Sequence, residues 1–394
     1  MAGYKLHEEA REKMRTTEAR VAILGGGLAG LYSAHLLHSA GIHFQLFEAR
    51  DRLGGRIFSA DESGRASDDG FDLGPSWFWP GVQPGMTALV KEMGLAAFAQ
   101  NIEGDVIFER MSRETPQRYR GMSQEAQSMR LVGGTAALVK ALAGGLPDDR
   151  LHLGSRVTLV QLGDSDVTLT ISRADGSELS VTASQVIAAL PPRLLEATIS
   201  FTPAVDSATA RHWRETPTWM APHAKFFALY DRPFWREAGL SGTAQSMVGP
   251  LAEIHDATTA SGNAALFGFL GIGAHQRRSI GEAALAQACV RQLARLFGPE
   301  ALNIRATIFK DWAADALTAT AEDRNAGGHP MPYEGPWVTG AWQHCLSLAG
   351  SETGASDPGY LAGAISAARR AVTETIERLS ASAGLGTRQA TGNP

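Results

Sequence analysis

The sequence predicts an α/β fold with a second, α+β domain inserted into it. A glycine loop near the N-terminus lies between an apolar, strand-like run and a helix-like run. Residues 151–190 carry apolar residues at every second position, which is the period of a β-strand. Near the C-terminus, a segment rich in glycine, serine and proline precedes a last helical stretch. The chain of 394 residues is long enough for two domains.

The first glycine loop has the spacing of a dinucleotide-binding turn. Residues 21–24 form an apolar run, Gly25, Gly27 and Gly30 follow as GxGxxG, and residues 31–40 have helical character. In such a βαβ unit the first glycine permits the tight turn and the second lets the backbone approach a pyrophosphate. The third lets the helix pack on the strand. The sequence therefore predicts a Rossmann-like unit with a pyrophosphate site at the start of the helix.

The start of the helix and the next strand complete the predicted site. Amide groups in the first turn of a helix have no helical partner, so those of Leu28, Ala29 and Gly30 are expected to face the phosphates. A second strand, over residues 42–47, ends at Glu48. An acid at the end of the second strand accepts hydrogen bonds from the adenosine ribose.

A second glycine pair follows Glu48 in the segment EARDRLGGR. This segment resembles the extended dinucleotide motif of the flavin-containing amine oxidase superfamily, which includes monoamine and polyamine oxidases. The resemblance implies that Ala49 and Arg50 continue along the cofactor and that the backbone at Gly55 approaches a phosphate. Arg56 is the best candidate for the supporting charge. The implied cofactor is FAD, and the implied fold is an FAD-binding Rossmann-like domain of the GR2 type with an inserted α+β substrate domain.

Three further positions match cofactor contacts of this superfamily. The aromatic segment at 71–80 resembles the stretch that returns to the isoalloxazine ring, with Gly74 and Ser76 as candidates for flavin contact. Val157 matches the position where a valine backbone pairs with the adenine edge. Trp312, in FKDWAAD, matches a tryptophan that packs near the flavin.

The C-terminal segment is the second strong indication. LAGSET, at 348–353, resembles the superfamily's AGTE segment and assigns Glu352 to the ribityl or phosphate region of the cofactor. Asp357 and Pro358 suit the N-cap and first position of a helix that runs to residue 379. Free amides at that helix start would stabilise negative charge at flavin N1/O2. The amides expected there are those of Gly359, Tyr360 and Leu361.

Two side chains are predicted to act in the reaction. Lys225, in HAKFFALYDRPFWR, resembles the strand lysine of the superfamily that contacts a water bonded to flavin N5. An ammonium there would stabilise the negative charge that develops when reduced flavin reacts with O2. Tyr360 matches one ring of the aromatic cage that flanks the substrate amine.

The sequence departs from the monoamine oxidases after Trp312. Those proteins carry a Cys-Tyr pair there, whereas the corresponding positions here are Ala321 and Glu322. The FAD is therefore expected to be non-covalent. The second ring of the cage stays open, with Tyr333 and Trp337 as nearby alternatives.

The predicted domain organisation is discontinuous. The FAD-binding domain is expected to comprise residues 21–75, 131–200 and 338–379, and the substrate-binding domain residues 76–130 and 201–337. A helical extension is expected at 1–20 and a disordered tail at 380–394.

The composition argues against several other classes of protein. A net charge of −5 without a Lys/Arg cluster argues against a nucleic-acid partner. The two cysteines, Cys289 and Cys345, form no CxxC, so neither a metal site nor a disulfide scaffold is implied, and a reducing, cytoplasmic location is expected. No apolar run approaches the ~18 residues of a membrane span. The oligomeric state stays open, with a homodimer as one alternative.

The resemblance implies an FAD-dependent amine oxidase acting on a small-molecule amine. Hydride transfer from the amine α-carbon to flavin N5 gives an imine, and O2 reoxidises the flavin with formation of H2O2. One alternative is a desaturase or dehydrogenase of the same superfamily that acts on a C–C bond. Another is a non-catalytic flavin-binding subunit. Lys225 favours the oxidase, and the sequence does not identify the amine.

Overall fold

The chain forms two compact units, each assembled from separate stretches of sequence. A computed structural model describes residues 16–121, 127–325 and 328–390. Unit 1 comprises Met1–Gly55, Ala141–Thr218 and His329–Pro394. Unit 2 comprises Arg56–Lys140 and Trp219–Gly328.

The elements are numbered in chain order. The strands are β1 (Thr16–Leu24), β2 (Phe44–Phe47), β3 (Ser59–Ala60), β4 (Phe71–Asp72), β5 (Ala97–Ala99), β6 (Asp105–Glu109), β7 (Gln117–Tyr119), β8 (Met129–Leu131), β9 (Leu151–His152), β10 (Ser155–Leu162), β11 (Val167–Arg173), β12 (Glu178–Ala188), β13 (Ser200–Thr202), β14 (Ala224–Tyr230), β15 (Leu240–Ser246), β16 (Leu251–Asp256), β17 (Ala264–Leu270), β18 (Ala306–Asp311) and β19 (Leu346–Leu348). The α-helices are α1 (Leu28–Ser39), α2 (Pro84–Glu92), α3 (Ala136–Gly144), α4 (Pro192–Thr198), α5 (Ser207–Glu215), α6 (Phe234–Glu237), α7 (Ala274–Ile280), α8 (Glu282–Phe297) and α9 (Leu361–Ala390).

Unit 1 is built on a mixed sheet with the order β13-β10-β11-β12-β1-β2-β9, in which β19 also pairs with β12. Strand β1 is parallel to both β12 and β2, so its carboxyl end opens directly into the first glycine loop. All four residues of β2 are buried, as expected for a strand covered on both faces. Helices α1 and α9 pack against each other beside this sheet.

Unit 2 is built on a largely antiparallel sheet with the order β18-β14-β17-β16-β15-β6-β7. Helix α8 packs an apolar face on it, because Leu285, Cys289 and Leu293 recur at helical spacing and are buried in one core with β14 and β17. Strand β14 lies inside the sheet and pairs Lys225 with Phe269 of β17 and with Lys310 of β18. Its residues are buried throughout.

Two predictions at the chain ends are wrong where the structure describes them. Residues 16–20 belong to β1 rather than to a helix, because residues 16–19 pair in parallel with residues 180–183 of β12. Residues 380–390 continue α9 rather than forming a disordered tail. Adding turns to an existing helix avoids the cost of nucleation, so glycines at 384 and 386 do not end it. Residues 1–15 and 391–394 lie outside the described residues.

The boundaries of the two units differ from the predicted domain boundaries. Residues 56–75 fall in unit 2, where a Cβ at Gly74 would clash with the carbonyl oxygen of Arg56. Helix α5 and the segment at 329–337 fall in unit 1, where the indole of Trp213 donates to the carbonyl oxygen of Trp337 at 2.8 Å. Both contacts connect residues that lie far apart in the sequence. The periodicity of apolar residues therefore did not reveal these domain boundaries. No helix in the described ranges is both long and apolar enough to cross a membrane.

Candidate functional site

Two of the three predicted loop glycines are required by contacts within unit 1. Gly25 has φ +99°, and a Cβ there would lie 2.9 Å from the carbonyl oxygen of Ala189. A Cβ at Gly30 would clash with the carbonyl oxygen of Gly25. The tight turn and the close packing of α1 therefore explain glycine at both positions.

Gly27 has no such explanation within the described part of unit 1. Its backbone, at φ −72° and ψ −178°, is open to any residue. A Cβ there would meet only the carbonyl oxygen of Gly54, at an ordinary 3.9 Å. The cradle that this Cβ would fill lies at the start of α1. It therefore fits a group that needs close approach to the backbone, as a pyrophosphate does.

The amides around this cradle are arranged as an anion site. The first helical hydrogen bond of α1 runs from Leu31 N–H to the carbonyl oxygen of Gly27 at 2.9 Å. The preceding amides of Leu28, Ala29 and Gly30 therefore have no partner in the helical ladder and lie at its positive end. These are the amides that the sequence predicts.

The second glycine pair lies directly on the first loop. Gly54 N–H donates to the carbonyl oxygen of Gly26 at 2.8 Å, and Gly54 forms a parallel bridge with Gly27. Gly55 has φ +59°, and a Cβ there would lie 3.3 Å from the Cα of Gly27. Both glycine motifs therefore contribute backbone to one small region. Arg52, which the sequence analysis did not select, holds this pair by donating to the carbonyl oxygen of Gly55 at 2.9 Å.

Glu48 is placed as predicted, at the end of β2 beside the glycine loop. Its buried carboxylate accepts from Gly26 N–H at 2.6 Å and from Arg50 N–H at 2.8 Å. Ala49 lies between these two anchored residues. Gly26 was missed by the sequence analysis, although a Cβ there would lie 2.8 Å from Leu53 Cδ2. The uninterrupted Gly-Gly-Gly run was the available signal.

The C-terminal motif meets the first glycine loop in unit 1. A Cβ at Gly350 would clash with the carbonyl oxygen of Leu190, next to the Ala189 carbonyl that restricts Gly25. Glu352 is fully buried in the short turn Ser351–Thr353 and accepts from Ser351 Oγ at 2.9 Å. The end of β12 therefore brings together two motifs from opposite ends of the chain.

The predicted start of the last helix is wrong. Helix α9 begins at Leu361, so Asp357 is not its N-cap and Pro358 is not its first residue. Asp357 has φ +50° and Gly359 has φ +86°, and Tyr360 N–H donates to the carbonyl oxygen of Asp357 at 3.1 Å. Proline followed by a glycine with positive φ is the pattern of a type II turn. The chain thus makes a turn before the helix.

This turn changes which amides are available at the helix start. Gly359 N–H donates to the carbonyl oxygen of Ser351 at 2.8 Å, and Tyr360 N–H is used in the turn. The prediction of free amides is therefore wrong for these two residues, and the contact of the Leu361 amide with flavin N1/O2 stays a prediction. The first helical bond runs from Ala364 N–H to the carbonyl oxygen of Tyr360. The amides ahead of the helical ladder are those of Leu361, Ala362 and Gly363.

Tyr360 contacts the ring of His329, a residue that the sequence did not suggest. His329 lies with its ring centroid 5.2 Å from that of Tyr360, at an interplanar angle of 39°. Tyr333 and Trp337 instead pack with each other at 5.2 Å and with His212 at 4.2 and 4.7 Å. No local pattern marks His329, because the contact depends on the path of an irregular segment.

Val157 lies buried in β10, next to a break in the ladder with β11. The pairing shifts register between Val157 and Leu159, so Thr158 is the extra residue of a bulge. Bulges occur often beside binding sites, where they redirect the backbone. The predicted adenine contact of Val157 stays a prediction.

In unit 2, Lys225 is joined to both flavin-contact candidates of the aromatic segment. Its side chain is only 3% exposed. Nζ donates to the carbonyl oxygen of Gly74 at 2.6 Å, to Ser76 Oγ at 3.0 Å and to the carbonyl oxygen of Asp72 at 3.1 Å. Three acceptors match the three N–H bonds of an ammonium. A water-mediated bridge from Nζ therefore requires exchange of one of these bonds.

Aromatic rings surround the same ammonium. Nζ lies 4.6 Å from the ring centroid of Phe267 and 5.1 Å from that of Phe269, within the range of cation–π attraction. Trp77 packs on both rings, at 5.5 and 6.5 Å. Trp312 is anchored to the same aromatic segment, since its indole donates to the carbonyl oxygen of Leu73 at 2.9 Å. Unit 2 thus brings together Gly74, Ser76, Lys225 and Trp312.

Arg56, also in unit 2, donates to the carbonyl oxygen of Trp219 at 2.9 Å.

Burial lowers the pKa of Lys225 from 10.5 to about 7, while the charge of Asp72 raises this pKa and that of Arg130 lowers it. Between pH 7 and 10.5 the unfolded chain therefore retains a proton that the folded protein has lost. Raising the pH in this window removes that proton from the unfolded state and favours folding.

We therefore expect the free energy of unfolding of wild type, minus that of Lys225→Met, to rise from pH 7 to pH 10. The rise should be at most about 1.4 kcal/mol per pH unit. Denaturant unfolding of both proteins across this range measures the difference. Parallel stability curves would show that Lys225 keeps its ordinary proton affinity in the folded state.

Comparisons with known proteins identify the family and the fold. The model of the family described as flavin containing amine oxidoreductase matches residues 109–376. The model of an NAD(P)-binding Rossmann-like domain matches residues 23–93. Flavin-containing amine oxidase B of Homo sapiens is 23% identical over 469 residues, covering 91% of this chain and 86% of that protein.

Solved structures with similar folds include two amine oxidases. Wild-type putrescine oxidase bound to putrescine superimposes with a TM-score of 0.73 at 21% identity, covering 92% of this chain and 100% of that chain. Cyclohexylamine oxidase from Brevibacterium oxydans IH-35A gives a TM-score of 0.76 at 20% identity with the same coverage. At these identities the likeness establishes the fold. The predicted fold class, a Rossmann-like domain with an inserted α+β domain, is confirmed.

Proposed function

The chain belongs to the flavin containing amine oxidoreductase family, and from this we propose that it is an FAD-dependent oxidase of a small-molecule amine. FAD, when bound, would accept a hydride at N5 from the amine α-carbon; the remaining iminium would lose a proton to give the imine, and the two electrons and two protons would reduce O2 to H2O2. The protein's own residues bind the cofactor, orient the amine and hold charge near the reacting atoms.

The single observation that carries the oxidase proposal is the buried amino group of Lys225, which is an ammonium below its pKa of about 7. Its three bonds to Asp72, Gly74 and Ser76 hold a cation in place inside an aromatic environment. A fixed positive charge in a water-poor site stabilises negative charge that develops nearby on O2. Because Ser76 Oγ accepts from Lys225, its own proton remains available to a further acceptor. We propose that Ser76 relays the hydrogen bond from Lys225 toward flavin N5.

The residues proposed to hold FAD divide by the part of the cofactor that they suit. The cradle at Gly27 and the amides of 28–30 suit the pyrophosphate, with Arg56 as supporting charge. Glu48 suits the adenosine ribose because two backbone amides already orient its carboxylate. The amide of Leu361 suits flavin N1/O2, since it lies at the positive end of α9. The remaining proposed contacts are Ala49, Arg50, Gly55, Gly74, Val157, Trp312 and Glu352.

Non-covalent attachment of FAD is supported by the chemistry of the two cysteines. Cys289 and Cys345 are both buried. Burial raises the pKa of Cys289 to about 12 and also raises the pKa of Cys345. Thioether formation needs a reactive thiolate, which neither residue readily supplies.

We propose that Tyr360 and His329 flank the substrate amine. Their rings lie 5.2 Å apart in unit 1, beside the start of α9. The two rings shape an apolar pocket, and desolvation in such a pocket favours the neutral amine that hydride loss requires. His329 therefore takes the place that the sequence left open for a second ring.

The test is a panel of amines offered to purified, FAD-loaded protein under air and without O2. We expect at least one amine to bleach the flavin anaerobically and to give stoichiometric H2O2 in air. Bleaching by polyenes but by none of the amines would support the C–C desaturase instead. Bleaching by amines without H2O2 formation would indicate a dehydrogenase with another electron acceptor. A flavin that no reductive substrate bleaches would support the non-catalytic subunit.

A further inference from the structure

Asp72, whose carbonyl oxygen accepts from Lys225, also carries a buried carboxylate that has no role in the mechanism above. Asp72 is 2% exposed. Its Oδ1 accepts from Ser59 Oγ at 2.6 Å, from Thr135 N–H at 2.8 Å and from Thr135 Oγ1 at 2.9 Å. Its Oδ2 is buried without a hydrogen-bond partner among the described residues. Burial of an acid in this way is costly unless a positive charge compensates it.

The turn Gly133-Gly134-Thr135 is built around this carboxylate. Gly134 has φ +74°, and a Cβ there would lie 2.8 Å from Oδ1 of Asp72 and 2.5 Å from Ser59 Oγ. Ser59 Oγ in turn accepts from Ala136 N–H at 3.1 Å, in the first turn of α3. Glycine at 134 thus leaves room for the side chain of Asp72, which the amide and hydroxyl of Thr135 then bind.

Asp72 acts on Lys225 in two ways. Its carbonyl oxygen accepts from Nζ at 3.1 Å, so its backbone fixes the position of the ammonium. Its carboxylate is the negative charge that favours the protonated lysine, whereas the buried guanidinium of Arg130 opposes it. Among the described residues, the other groups near Nζ are uncharged: the Gly74 carbonyl, the Ser76 hydroxyl and the rings of Phe227, Phe267 and Phe269.

We propose that Asp72 is a positioning residue whose buried carboxylate keeps Lys225 in the ammonium form. Its effect on flavin reoxidation rests on the proposed function. Its effect on the charge of Lys225 does not, because that charge is a property of the folded chain. Two separate measurements therefore test the two parts.

The first measurement is the titration of Lys225 by NMR in FAD-loaded, oxidised protein without substrate. The chain has only six lysines, so labelled lysine gives a spectrum in which Lys225→Met identifies the signal of interest. Asp72→Asn should lower the titration midpoint of Lys225 by about one pH unit or more. Asp68→Asn is the matched control, because Asp68 is exposed and pairs with Lys140, and it should leave the midpoint unchanged.

An unchanged midpoint in Asp72→Asn would overturn the proposal. If this variant does not load FAD, Asp72→Ser removes the same charge in a smaller side chain and must give the same shift. The wild-type titration is a further check that needs no variant at Asp72. A Lys225 that is already neutral at pH 6 would overturn the proposal, since no ammonium would then be maintained.

The second measurement is the rate of flavin reoxidation by O2 as a function of pH. With the midpoint lowered by about one unit, Asp72→Asn should react about tenfold more slowly than wild type at pH 8 and approach wild type at pH 6. In the Lys225→Met background, Asp72→Asn should cause no further loss. An equal loss at all pH values would indicate a structural defect and contradict the proposal. An NMR shift in a protein that oxidises no amine would uphold the role of Asp72 and reject the proposed function.

Discussion

Lys225→Met is expected to slow the reoxidation of reduced flavin by O2 about 10²- to 10³-fold while FAD stays bound. Methionine approximates the length of lysine but removes the positive charge that Lys225 holds against Asp72, Gly74 and Ser76. The anaerobic reduction of the flavin by an amine should change far less, because that step does not create negative charge on O2. Stopped-flow traces of the two half-reactions separate the effects.

The matched control for this variant is Lys140→Met. Lys140 is exposed, and its ion pair with Asp68 lies on the surface, where such pairs contribute little. It should reoxidise at the wild-type rate. If Lys225→Met reoxidised as fast as this control, the ammonium would have no role in the reaction with O2, and the dehydrogenase alternative would gain support.

The pH dependence of the wild-type enzyme follows from the same residue. Because burial holds the pKa of Lys225 near 7, the ammonium is lost as the pH rises through that value. The reoxidation rate should therefore be highest on the acidic side and decline toward alkaline pH. This decline should be absent from Lys225→Met, which reacts slowly at every pH.

Gly27→Ala is expected to weaken FAD binding by about 10²-fold or more without loss of the fold. The added methyl group fills the cradle at the start of α1 and blocks the approach of the pyrophosphate to the amides. The expected loss is two charge-assisted hydrogen bonds between the amides and the pyrophosphate, each of about 1.5–3 kcal/mol. Within unit 1 the methyl group meets nothing closer than the Gly54 carbonyl oxygen at 3.9 Å. The dissociation constant can be measured from flavin fluorescence on dilution of the loaded protein.

The neighbouring variant Gly30→Ala provides the contrast. Its Cβ would clash with the carbonyl oxygen of Gly25, so it should lower the free energy of unfolding of the apoprotein. Gly27→Ala should leave that free energy unchanged or slightly higher, since alanine is allowed at this φ and ψ. Equal FAD affinity of Gly27→Ala and wild type would place the pyrophosphate elsewhere.

Several parts of the site could be predicted because they depend on residues close in sequence. The glycine loop, the start of α1 and the acid at Glu48 form one βαβ unit, whose geometry follows from strand and helix lengths. Lys225 could be placed on a strand because β14 is continuously apolar around it. The hairpin at 175–176 followed from Asp-Gly, and Gly176 has φ +81° in the turn between β11 and β12.

Other parts could not be predicted because local chemistry was ambiguous. Asp357-Pro358-Gly359 suits a helix start as well as a type II turn, and the turn is held by the bond from Tyr360 N–H to the Asp357 carbonyl oxygen and by that from Gly359 N–H to the Ser351 carbonyl oxygen. Residues 16–20 have helical composition, but pairing with β12 outweighs intrinsic propensity. In both places a contact outside the local motif decides which of two conformations forms.

The sequence by itself predicted the βαβ unit, its glycine loop and the acid at Glu48, because these depend on short motifs whose spacing is fixed by strand and helix geometry. The cofactor class and the remaining binding candidates were implied by the resemblance to the flavin-containing amine oxidase superfamily. Only the tertiary structure decided which side chains support those motifs. The carbonyl oxygen of Asp72 binds Lys225, the ring of His329 lies against that of Tyr360, and Gly350 packs against Leu190. Each contact joins residues that are far apart in the chain. Burial makes such contacts strong, but their partners are chosen by the path of the whole backbone, which no local pattern encodes.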